Sequence, residues 1–102
     1  MSMILRVAAE GSWDDAKQIL KDAAKRAKLT VTERGSKELV ITNSSTGDYG
    51  EFSYRPNGAV SAHMFEEGSS RPFSKGEVSL SSFKDKDDWK EKLGFFVQSI
   101  EG

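Results

Sequence analysis

Residues 49–65 read YGEFSYRPNGAVSAHMF. Tyr49 to Tyr54 alternates with the period of two that marks a half-buried strand. Arg55-Pro56-Asn57-Gly58 follows, with Pro56 preset for the first corner of a turn and Gly58 able to take positive φ. Ala59 to Phe65 resumes the strand pattern, so the stretch is a β-hairpin. Working back toward the N-terminus, Leu29 to Arg34 alternates Leu, Thr, Val, Thr, Gly35-Ser36 makes a turn, and Leu39 to Thr42 is again β-prone. Asn43 to Asp48 consists of turn formers. An antiparallel meander of three or four strands with short connections results. Glu77 to Ser81 alternates and extends it as an edge strand, after a polar connection over 66–76 that contains Pro72 and is the longest and most mobile link expected.

Two helices flank this run. Ser12 and Asp15 stand at capping-box spacing, and Asp14 and Asp15 favour a helix N-terminus. From there to about Lys28, Trp13, Ala16, Leu20, Ala23, Ala24 and Ala27 fall on one side, with Ile19 on its margin. That alanine-rich face can lie close to a sheet. A second helix starts near Ser82 to Asp85 and runs to about Ile100, with Trp89, Leu93, Phe96, Val97 and Ile100 inward. Residues 3–8 are β-prone and short enough for a strand. The expected fold is α+β, one domain over 1–102. It is an antiparallel meander of four to six strands with an N-terminal and a C-terminal helix packed on one face, in the order β-α-ββββ-(β)-α.

The chain has 102 residues, 15 Lys+Arg against 16 Asp+Glu, a net charge of −1, one histidine and no cysteine. One small soluble domain fits these values. Disulfides, thiolate metal sites, cysteine nucleophiles and multi-histidine zinc sites are excluded. Oxygen-ligand metals remain, yet Asp85, Asp87 and Asp88 suit the first turn of a helix and the Ca²⁺-loop pattern is absent, so no metal and no cofactor is expected. Near-neutral charge argues against coating nucleic acid by bulk electrostatics. No segment approaches the ~18 apolar residues of a membrane span or forms a convincing secretory signal, so a cytoplasmic protein without membrane contact is expected. Asn43-Ser44-Ser45 matches a glycosylation acceptor, a pattern that matters only in a secreted chain.

Three surface features could carry function. Pointing Leu29, Val31, Leu39, Ile41, Phe52, Tyr54, Val60, Ala62 and Met64 at the helices turns Thr30, Thr32, Arg34, Val40, Thr42, Tyr49, Glu51, Ser53, Ser61 and His63 the other way. This hydroxyl-rich face, with Arg34, Tyr49, Glu51 and His63, is a candidate partner-binding surface. Phe73 and Phe95 do not fit their elements' buried faces and are candidate aromatic anchors. Lys17, Lys21, Lys25 and Lys28, spaced +4, +4 and +3, form a ridge along the first helix that could track phosphates. A catalytic reading of His63 lacks a nucleophile motif, and glycine-rich phosphate cradles are absent. The expected function is a small non-enzymatic binding module, an inhibitor, immunity factor or virus-encoded host-targeting protein that occludes a surface on a protein partner. About 800 Å² per partner suffices for that. The alternative is nucleic-acid binding through the lysine ridge and the sheet aromatics Tyr49, Phe52 and Tyr54. Partner identity and oligomeric state leave no mark in the residues.

Overall fold

A computed structural model describes residues 12–80 and 88–101. Helix α1 (Trp13–Arg26) begins with a closed capping box. Ser12 Oγ accepts from the Asp15 N–H at 3.3 Å, and the Asp15 carboxylate accepts from the Ser12 N–H at 3.4 Å. Its buried face is Trp13, Ala16, Leu20 and Ala24, four of the six residues that the periodicity places there; Ala23 and Ala27 are only partly buried. The helix ends two residues before Lys28. The Leu29 N–H donates to Ala24 O at 2.8 Å and the Lys28 N–H to Lys25 O at 3.1 Å, with Lys28 at φ 61. This pair of bonds is a Schellman ending, which satisfies carbonyls the last turn would leave orphaned.

Five strands follow: β1 (Thr30–Glu33), β2 (Glu38–Thr42), β3 (Tyr49–Tyr54), β4 (Ala59–Phe65) and β5 (Pro72–Ser79). They form one sheet in chain order, each antiparallel to the next. Helix α2 (Asp88–Glu101) closes the described chain. The α+β meander between two helices is therefore the fold. The expected strand over residues 3–8, the start of the second helix at Ser82 to Asp85, and Ser81 at the end of the expected edge strand lie outside the described residues.

One expectation is corrected. The connection expected over 66–76 is short, because β5 begins at Pro72 instead of Glu77. Pro72 and Gly76 give this run the composition of a loop, but each has a place in a strand. Proline is tolerated at a strand's first residue, and a glycine marks close approach by a neighbour. The ring of Phe96 lies over Gly76, where a Cβ would stand 2.8 Å from Phe96 Cζ. A register shift beside Met64 and Phe65 accommodates the extra residue, Phe73.

Both helices pack on the same sheet face. The core joins Trp13, Ala16, Leu20 and Ala24 of α1 to Leu39, Ile41, Phe52, Val60, Ala62, Met64 and Val78 of the sheet. It also takes in Trp89, Leu93, Val97 and Ile100 of α2. Phe52 meets Phe96 at 6.5 Å between ring centroids, and Trp13 stacks on Tyr54 at 5.8 Å. The Trp13 Nε1–H donates to Ser36 O at 2.9 Å, so the buried indole keeps a polar partner. Burial of side chains such as Phe52 or Leu20 contributes about 1.5–3 kcal/mol each.

Candidate functional site

Antiparallel pairing converts the period-two pattern into rows that cross the sheet. On the face opposite the helices, one row runs Thr32, Val40, Glu51, His63, Lys75. A second runs Thr30, Thr42, Tyr49, Phe65, Pro72, and a third runs Glu38, Ser53, Ser61, Glu77. Arg34 follows β1 directly, and its N–H donates to Glu38 O at 2.9 Å, carrying the ladder one residue further. Four of the nominated residues, Arg34, Tyr49, Glu51 and His63, thus share this face.

Their chemistry is networked. The Arg34 guanidinium reaches Glu51 at 3.4 Å and Glu38 at 3.5 Å, and Glu38 accepts from Ser53 Oγ at 3.3 Å. Tyr49 and Phe65 stack with ring centroids 5.0 Å apart. His63 is half-buried between Glu51 and Lys75 in the register, and it forms no hydrogen bond to a serine or carboxylate among the described residues. Val40 and Ser61 point to this face yet are buried at 8% exposure, and Ala59 at 4%. An exposed arginine and a half-buried aromatic pair therefore surround a small closed centre.

The two phenylalanines lie on different layers. Phe73 is 46% exposed on edge strand β5 at the bulge, and Phe95 is 64% exposed on α2, in the helical layer. The six nominated residues do not make one surface. Of the lysine ridge, Lys17 Nζ lies 3.3 Å and Lys21 Nζ 3.0 Å from the Glu33 carboxylate. The hydrogen bond from Lys21, then that from Lys17, and the two positive charges hold Glu33 below the usual carboxylate pKa. Lys28 stands beyond the last residue of α1. Lys25 and Lys28 form no ion pair among the described residues.

Two residues with defined tasks escape the sequence reading. Lys75 joins the central row only because β5 starts early, and a strand begun at Pro72 would have revealed it. Asn43 is 7% exposed. Its Nδ2 donates to Ile100 O at 3.0 Å and Glu101 O at 3.1 Å, and its Oδ1 accepts from the Ser45 N–H at 2.9 Å. The nitrogen that glycosylation would modify is thus already committed to the end of α2.

No three His, Asp or Glu side chains converge as metal ligands among the described residues. A groove of about 230 Å³ between the helices, lined by Ala23, Ala27, Gly94 and Val97 with Arg26 and Glu101, is smaller than the roughly 300 Å³ where ligand pockets begin. None of the described helices is long and apolar enough to cross a membrane. No family model, curated protein or solved structure matches the chain.

Proposed function

We propose that this chain is a non-enzymatic binding module that occludes a surface on a protein partner through the sheet face opposite its helices. The observation that carries the reading is the composition of that face around Arg34. The Arg34 side chain is 56% exposed and its guanidinium is held by two carboxylates, beside the stacked pair Tyr49 and Phe65 and the half-buried His63. Arginine and tyrosine are the side chains most enriched at interface hot spots, and a residue already held in place loses less entropy on docking. An inhibitor, immunity or host-targeting role belongs to this class. A location in the cytoplasm is part of the same proposal.

The nucleic-acid alternative has less support. Glu33 engages two of the four ridge lysines, leaving Lys25 and Lys28 as those without an ion pair among the described residues. The aromatics it needs also face opposite sides, since Tyr49 lies on the outer face while Phe52 and Tyr54 pack inward.

The test compares capture of a protein partner by the wild type, Arg34→Ala, Tyr49→Ala, Phe95→Ala and Lys25→Glu/Lys28→Glu, from lysate with and without nuclease. Circular dichroism and melting verify each fold. The proposal requires that one protein be lost with Arg34→Ala and Tyr49→Ala, be retained by the helix variants, and survive nuclease. Loss with Lys25→Glu/Lys28→Glu, or capture that nuclease abolishes, would transfer the assignment to nucleic acid. Turnover of a substrate abolished by His63→Ala would make the chain an enzyme.

A further inference from the structure

The chain holds two asparagines, Asn43 and Asn57, and the fold treats them oppositely. Asn43 is buried, with its side-chain nitrogen donated to two helix-terminal carbonyls. Asn57 is exposed at the tip of the β3–β4 hairpin and precedes Gly58, which has φ +84. Outside Gly58 and its two chain neighbours, no heavy atom lies within 4 Å of the place a Gly58 Cβ would occupy. Gly58 therefore puts no side chain of its own in the way of its nitrogen, and nothing crowds the side a Cβ would take. Asn57 Oδ1 accepts from the Ala59 N–H at 3.1 Å, which draws electron density from Cγ and holds the carboxamide over the following backbone. Its Nδ2 forms no hydrogen bond among the described residues.

We infer that Asn57 is a site of spontaneous deamidation, formed by an exposed amide followed by a residue with no side chain to shield its backbone nitrogen. Hydroxide removes the Gly58 amide proton, giving water. The resulting nitrogen anion forms a bond to Asn57 Cγ. The Cγ–Nδ2 bond then breaks, and the nitrogen leaves as ammonia after taking a proton from water. Water next adds to one of the two carbonyls of the five-membered imide and opens it. Opening at Cγ yields aspartate, whereas opening at the main-chain carbonyl yields isoaspartate and routes the backbone through the side chain. Both products add one negative charge.

The hairpin restrains this reaction without sealing it. The Gly58 N–H donates to Arg55 O at 3.0 Å and must leave that bond before hydroxide can take its proton, so opening of the turn governs the rate. An isoaspartate would lengthen the main chain beside Gly58, whose carbonyl accepts from the Leu80 N–H at 3.3 Å. The modification is thereby felt at Leu80, a residue with 1% exposure.

The experiment incubates the full chain in mildly alkaline buffer, native and in denaturant, and follows peptides by mass spectrometry with isoaspartate-specific detection. The expected native result is conversion at Asn57, with Asn43 slower by roughly tenfold or more because it must first undock from α2. Conversion at Asn57 should quicken in denaturant, and Asn57→Gln should abolish the product. A native chain that leaves Asn57 intact while the denatured chain converts would overturn the inference. So would equal rates at the two asparagines.

Discussion

Asn43 is where the sheet holds the end of α2. The last carbonyls of a helix have no partner within it, and a buried one must find a donor elsewhere. Asn43 Nδ2 supplies that donor to Ile100 and Glu101, while Oδ1 orders the turn that leads to β3. Asn43→Ala removes both roles, and the expected loss is about 1–3 kcal/mol, read as a lower urea midpoint at unchanged slope. An unchanged midpoint would mean that solvent replaces the side chain. Lys28 presents the opposite case. It occupies a left-handed position that costs a non-glycine residue roughly 1–2 kcal/mol, offset in part by the extra freedom glycine brings to the unfolded chain. Lys28→Gly should raise stability by up to about 1 kcal/mol, visible as a higher melting temperature.

Among the elements, glycine has two meanings that only neighbours separate. Gly94 lies within α2, and a Cβ there would meet nothing within 4 Å. Gly94→Ala should therefore stabilise by up to ~1 kcal/mol, a rise in Tm of about 4–8 °C for a domain of this length. Gly76→Ala should do the reverse, since its Cβ would intrude on the Phe96 ring; overpacking of this kind typically costs ~1–3 kcal/mol. Thermal melts of the two variants should shift in opposite directions, and a shared direction would refute the packing argument. The same pair explains what was legible beforehand. Element order, the hairpin turn at Arg55 to Gly58, the Ser12–Asp15 cap and the inward faces could all be read from periodicity and turn chemistry. The early start of β5 could not, because Gly76 earns its place through a ring about twenty residues away in sequence. Asn43 was hidden for a like reason: its partners are carbonyls of a distant helix. Of the candidate site, the four outer-face residues followed from alternation alone. The division of Phe73 and Phe95 between separate layers required the tertiary packing.

At the scale of the whole molecule, Glu33 links the helical layer to the edge of the sheet. Its carboxylate, on β1, takes Lys17 and Lys21 of α1, and those two lysines hold its folded pKa below the ordinary value of 4.5. A group whose pKa is lower in the folded than in the unfolded state binds fewer protons when folded. Its contribution is therefore fully present above about pH 4.5, begins to fall as acid protonates the unfolded chain's Glu33, and is gone once pH drops through the lowered folded value. Because Glu33 is exposed and both lysines are partly so, the effect is modest and salt weakens it. Glu33→Gln keeps the size and polarity of the side chain but cannot titrate. Comparison of wild type and Glu33→Gln by urea denaturation should show the wild type more stable near neutrality. The gap should narrow on acidification below about pH 4.5 and shrink at every pH in added salt. A gap that stayed constant with pH would mean that α1 is held to β1 by packing alone. The lysines would then be released from Glu33, and the ridge Lys17, Lys21, Lys25 and Lys28 would regain its standing as a continuous cationic surface.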